Sequence, residues 1–152
     1  LESDNPDLPI NLYINSPGGS ITAMLAVYDA MQFVRAPVET TCVGQAAWTA
    51  AVLLAGGTPG KRMILPHGRV VLHQPAAQGR GTIPDLILEA EEIARVRSML
   101  EEILSRHTGR TPEQIREDTD RDLVLTASAA ADYGLVDEVL RPRGTSGPAE
   151  LR

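Results

Sequence analysis

The sequence predicts an α/β fold with mainly parallel strands. Two observations carry this reading. Short strand-like runs alternate with helix-periodic segments along the whole chain, and two glycine- or alanine-rich turns, at residues 15–20 and 43–48, join a strand end to a helix start. Residues 10–14 (INLYI) form the first strand, ended by the turn NSPGG. Ser20 caps a helix whose apolar positions Ile21, Met24, Leu25, Tyr28 and Met31 recur at spacings of three and four, and Pro37 stops it. Residues 38–43 are a second strand. Gly44 then turns into a helix over 46–54, apolar on nearly every side and therefore buried. Residues 63–65 are short and extended, 66–68 a turn, and 69–73 another strand. The longest helix runs over about 84–107, with Pro84 in its first turn. Thr111-Pro-Glu-Gln is a capping box for a short helix. A strand at 123–125, a helix at 128–133 and a strand at 135–139 complete the domain.

Composition narrows the function. The chain has 152 residues, 43% hydrophobic and 22% charged, which suits one domain with a real core. Fourteen Lys and Arg against 20 Asp and Glu give a net charge of −6, and aromatics make up only 3%. Neither a phosphate backbone nor single-stranded bases would find a surface here, so no nucleic-acid partner is expected. The single cysteine, Cys42, has no disulfide partner in the chain, and no CxxC or HxxxH spacing suggests a metal site. No cofactor is expected. The longest apolar run, 46–57, is too short to span a bilayer, and no signal-peptide pattern opens the chain. A cytoplasmic location without membrane contact is the default expectation. Residues 141–152, rich in Gly, Pro and Arg, read as a flexible tail. The opening LESDNPD runs into a strand without a lead-in, as if the chain began inside a larger domain.

Chemistry concentrates at strand ends. In NSPGGS the paired Gly18 and Gly19 let the backbone approach a ligand, and free N–H groups there can hold an oxyanion. The segment VGQAAW is a second strand-to-helix turn, the geometry in which such folds place a nucleophile. Trp48 is no nucleophile. His73 follows an apolar strand and precedes Gln-Pro, at a strand end where sites of α/β proteins cluster. His67 and His107 are expected to be exposed, His107 complementing its helix dipole. The charged run 116–122 suits a solvated turn, intersubunit ion pairs or a carboxylate that orients a histidine.

Taken together, INLYINSPGGSITA, VGQAA, GKRMILP, LHQP, SRHTG, IREDTDRD and ADYGLVDEVL resemble the proteolytic subunit of the Clp protease (ClpP) over residues 8–140. The resemblance implies the ClpP/crotonase-like spiral of βα units with a protruding handle, a strand plus the long helix. It implies stacked seven-membered rings, shared with ClpP paralogues, that cut peptides with a Ser-His-Asp triad. An AAA+ unfoldase such as ClpX or ClpC would feed them. The family's axial loop and first βα segment would precede Leu1, and docking to an unfoldase depends on them.

Carried over residue by residue, the resemblance makes His73 the general base and Asp122 its orienting carboxylate. Gly18 or Gly19 becomes one oxyanion donor, and the backbone N–H of Thr49 the other. Asp120 and Arg121 match the charged pair that bridges neighbouring handles. The nucleophile position holds Trp48, whose indole N–H only donates. The leading reading is therefore a ring subunit without its own nucleophile, structural or regulatory beside active paralogues, with a remnant dyad in hydrogen-bond reach beside the Trp48 ring. Two other readings stand beside it. One is an active Clp serine endopeptidase whose serine has been substituted. The other is a crotonase-like acyl-thioester enzyme, disfavoured by the lack of a basic surface and by the HQP and DTDRD words.

Overall fold

The computed structural model describes residues 1–75 and 79–143. In chain order its elements are β1 (Ile10–Ser16), α1 (Ile21–Phe33), β2 (Val38–Ala47), α2 (Thr49–Ala55), β3 (Arg62–Ile64), β4 (Arg69–Leu72), α3 (Ile83–Thr108), α4 (Pro112–Asp118), β5 (Leu123–Thr126), α5 (Ala127–Tyr133) and β6 (Glu138–Val139). The strands form one sheet ordered β5-β4-β2-β3-β6, with β1 also on β2. Every pairing is parallel except β4 with β5.

Strand β2 organises this sheet by changing neighbours along its length. Thr40–Cys42 pair with Arg62–Ile64 of β3, and Gln45–Ala47 pair with Arg69–Val71 of β4. Between those halves the register with β1 slips, from Ile14 opposite Cys42 to Ser16 opposite Ala46. Gly44 sits in the slip at φ 92°, where a Cβ would meet Asn15 Oδ1 at 2.9 Å. The bulge re-aims the strand and curls the sheet. It also corrects the expected helix start: residues 46 and 47 remain in the strand, because pairing with β4 holds them there, and α2 begins only at Thr49. The expected strand at 135–139 shrinks to Glu138–Val139, since Leu135 and Val136 are buried in the preceding turn.

Helix α2 lies at the centre of the core. Ala50, Ala51, Val52, Leu54 and Ala55 are all buried, and their small side chains let β2, α1 and α3 close around them. Ser20 caps α1 by accepting from Ala23 N–H, and Thr111 with Gln114 forms the capping box of α4. Helix α3 is divided by its burial. Val96, Leu100, Ile103 and Leu104 join the core, whereas Ile83, Ile87 and Leu88 are exposed, so its first turns project from the domain as the handle. Of the segment expected to precede it as the handle strand, residues 76–78 lie outside the described residues, and 79–82 are not in a strand.

Arg62 ties the far side of the sheet together. It is buried and makes a bidentate ion pair with Asp137 (Nε–Oδ2 2.9 Å, Nη2–Oδ1 2.6 Å), while its Nη1 donates to the carbonyls of Ala55, His107 and Gly134. Removing the guanidinium leaves a carboxylate and three carbonyls without that donor. Arg62→Met should therefore lower stability by about 3–5 kcal/mol in denaturant melts. Hydrogen bonds from Arg62 hold the Asp137 carboxyl below its ordinary 3.8, against an opposing push from burial. A depressed folded pKa stabilises the fold fully above the unfolded value, and that contribution disappears as pH falls through the folded one. The urea midpoint should thus drop below about pH 4, and Asp137→Asn should flatten that drop.

Candidate active site

The end of β2, the β1–α1 turn and the end of β4 meet at one place. Trp48 follows β2 with φ 50° and ψ −108°, and among the described residues it alone combines a positive φ with a side chain. Its N–H continues the ladder to Val71 O at 2.7 Å, and its carbonyl accepts from Ala51 and Val52 to start α2. The chain is thus held from both sides in a conformation that costs on the order of 1–3 kcal/mol. A strained strand-to-helix residue of this kind lifts its side chain clear of the sheet, the arrangement that presents a nucleophile.

The β1–α1 turn packs directly against it. Gly18 has φ +100°, and a Cβ there would lie 2.9 Å from Ala47 O and 3.5 Å from Trp48 Cβ. Glycine is required at this position on both counts. The three candidate oxyanion donors differ in their present partners. Gly18 N–H donates to Ser16 Oγ at 3.1 Å, and Gly19 N–H donates to Thr49 Oγ1 at 2.8 Å. Thr49 N–H belongs to the first residue of α2 and has no acceptor within its helix.

His73 follows β4, and its ring stacks on Trp48 with centroids 5.0 Å apart and planes at 29°. The expected neighbourhood of these two residues is therefore formed. The expected hydrogen bond from His73 to Asp122 is not. His73 Nδ1 lies 3.1 Å from Gln74 O, and because a carbonyl only accepts, that nitrogen donates and Nε2 is left as the acceptor. Asp122 immediately precedes β5, whose Leu123 pairs with Leu72, so the antiparallel register carries it opposite His73. Its carboxylate is exposed and, among the described residues, has no hydrogen bond or ion pair. The Trp48 Nε1 is buried with no hydrogen-bond partner. A cavity of about 30 Å³, room for a single water, is lined by Trp48, His73, Pro75, Leu100, Leu104 and Thr119 among others.

The other titratable groups fall into place around this centre. His67 is exposed, as expected. His107 is not: it is half-buried, with Nε2 2.7 Å from the Tyr28 hydroxyl, and burial together with Arg62 and Arg106 lowers its pKa. It stays neutral at pH 7 and adds no charge to the helix dipole. The run 116–122 also divides. Arg116 pairs with Glu101, a buried carboxylate also held by Arg97, and Asp118 accepts from the Tyr133 hydroxyl. Asp120 and Arg121 are exposed, with side chains unpaired among the described residues. Burial pushes the Cys42 thiol up to about 11, so it is not a thiolate nucleophile at neutral pH. Among the described residues no group of three His, Cys, Asp or Glu comes together to hold a metal, and no helix is long and apolar enough to cross a membrane.

The mixed α/β fold thus carries a projecting helix and a strained strand-to-helix elbow that faces a histidine. The family model described as Clp protease matches residues 1–143, and this chain belongs to that family. It is 68% identical over 144 residues to ATP-dependent Clp protease proteolytic subunit 1 of Nocardia farcinica, covering 95% of this chain and 73% of that protein. Two numbered subunits of Frankia casuarinae also match. Subunit 3 is 56% identical over 94% of this chain and 67% of its own length, and subunit 2 is 53% identical over all of this chain and 70% of its own length.

Sequence reasoning missed the Thr49 side chain, because only the fold brings it to Gly19 across 30 residues. Two outcomes test the geometry. Gly18→Ala should destabilise the protein by about 1 kcal/mol or more, since it adds both a positive-φ penalty and a contact with Ala47 O. Trp48 is the sole tryptophan, so its fluorescence reports the site directly. His73→Ala should increase acrylamide quenching of that emission, by uncovering the stacked indole face.

Proposed function

We propose that this chain is a ring subunit of an ATP-dependent Clp protease complex without peptidase activity of its own, acting beside active paralogues. The observation that carries this is the indole at the elbow, stacked on the histidine that should serve as base. Peptide hydrolysis by this family's triad needs an oxygen nucleophile whose proton passes to the histidine. Indole has no such oxygen, and His73 has no proton to remove. Loss of a triad member leaves about 10³–10⁴-fold acceleration over water at most. In this reading Asp122 is the remnant orienting carboxylate. Thr49 N–H and Gly18 or Gly19 N–H are the remnant oxyanion donors, and peptides are the substrates of the complex.

Assembly is supported by the projecting part of α3, where Ile83, Ile87 and Leu88 leave an apolar surface uncovered, and by the unpaired Asp120 and Arg121. Asp120 and Arg121 bridge neighbouring handles in stacked seven-membered rings, to which an AAA+ unfoldase delivers unfolded chains in the cytoplasm. That one organism has differently numbered subunits, both similar to this chain, supports rings of mixed composition. A second reading draws on the strained φ at Trp48, which an indole does not require. That strain suits an active serine endopeptidase in which the serine has been replaced.

The chain alone should take up no serine-directed fluorophosphonate, and labelling of Thr49 or any serine, read by mass spectrometry, would reject the inactive-subunit reading. In sedimentation with an active Clp proteolytic subunit it should co-migrate in assemblies of ring size. The double variant Ile87→Asp/Leu88→Asp should shift those assemblies toward smaller species. Monomers at micromolar concentration in both cases would reject a ring role.

A further inference from the structure

We infer that the Thr49 hydroxyl closes the oxyanion pocket from inside, a second block on catalysis that acts independently of Trp48. The inference rests on reading the site as a latent serine-peptidase centre. In such a centre the attacking oxygen bonds to the peptide carbonyl carbon, its proton passes to His73 Nε2, and the C=O π pair moves onto the carbonyl oxygen. That oxyanion is held by two backbone N–H groups, and the intermediate then expels the amine, which takes the proton back from His73.

In this chain one of the two donors is engaged by a side chain belonging to the other. Thr49 contributes its backbone N–H from the first residue of α2, while its own Oγ1 accepts from Gly19 N–H at 2.8 Å. That is the distance a substrate oxyanion would take. The hydroxyl is hemmed in. Thr49 is only 4% exposed, and a Cβ built on Gly18 would stand 3.3 Å from Oγ1. The remaining glycine amide, Gly18 N–H, is already bonded to Ser16 Oγ. A substrate carbonyl must therefore displace the threonine hydroxyl before it can be polarised. Restoring a serine at position 48 would supply the nucleophile and leave the pocket closed.

The test separates this lock from the absent nucleophile. In the full chain, amide hydrogen exchange at Gly19 should accelerate about 10-fold or more in Thr49→Val, which keeps the shape and removes the acceptor. Thr49→Ser should retain the native rate. Peptidase activity is then read in rings whose partner subunits carry alanine at their own nucleophile. Trp48→Ser and Trp48→Ser/Thr49→Ser should turn over slowly. Trp48→Ser/Thr49→Ala, which removes both the acceptor and its volume, should raise kcat by about 10²-fold with little change in KM, the usual worth of one oxyanion donor. Trp48→Ser/Thr49→Val should stay slow, because its methyl keeps the place of Oγ1, and the exchange measurement shows whether the variants remain folded. The inference is overturned if Gly19 exchanges equally in native and Thr49→Val chains. It is overturned equally if Trp48→Ser alone matches the Ala double variant, or if every variant is silent in assembled rings. Activity of the native chain would instead reject the inactive-subunit reading, so the two failures are distinct.

Discussion

The hydrogen bond from Trp48 N–H to Val71 O is the constraint on which the site depends. It keeps β2 paired with β4 up to its last residue, so the turn into α2 must be completed by one residue with positive φ. That single conformation sets the direction of the side chain at position 48, the start of α2 and the place of Thr49. Gly18 can approach only because it lacks a Cβ, and its contact with Ala47 O brings the β1–α1 turn against the same elbow. A change at any of these points moves the others, since they share backbone rather than side-chain contacts.

The strained elbow at position 48 presents an indole. Its ring gains a stacking partner in His73, while its Nε1 is buried without an acceptor, a loss of about 1–3 kcal/mol for a desolvated donor. The backbone strain persists under a side chain that has no use for it. The frame around it is held by sheet pairing and by the Arg62 cluster. His73 satisfies Nδ1 on its own neighbour's carbonyl, and Asp122, one register step beyond the last β4–β5 pair, faces solvent.

Much of this was legible in the sequence because local signals agree with the fold. The Ser20 cap and the Thr111 capping box each act within a few residues, and both hold in the structure. The pairing of Trp48 with His73 was readable from family-like words at the ends of two strands. The misplaced start of α2 has a physical cause. Alanines favour helix locally, but residues 46 and 47 are held by the β4 ladder, a contact more than 20 residues away. His107 was misjudged for a related reason: a helix-end histidine looks exposed until Tyr28 of another helix covers it.

By itself the sequence determined the class of fold, its family and the absence of a hydroxyl at the elbow, because residue identity and short-range periodicity are properties of the chain. Only the tertiary structure decided which donors are free. The Thr49 hydroxyl lies against Gly19, Arg62 binds carbonyls from three separate segments, and His73 turns to Gln74 rather than Asp122. Except for the His73 bond to its neighbour and the Arg62 bond to Ala55, each such contact joins positions 30 or more residues apart. Its geometry is set by strand register and by the approach of glycine backbone, which no local pattern of residues encodes.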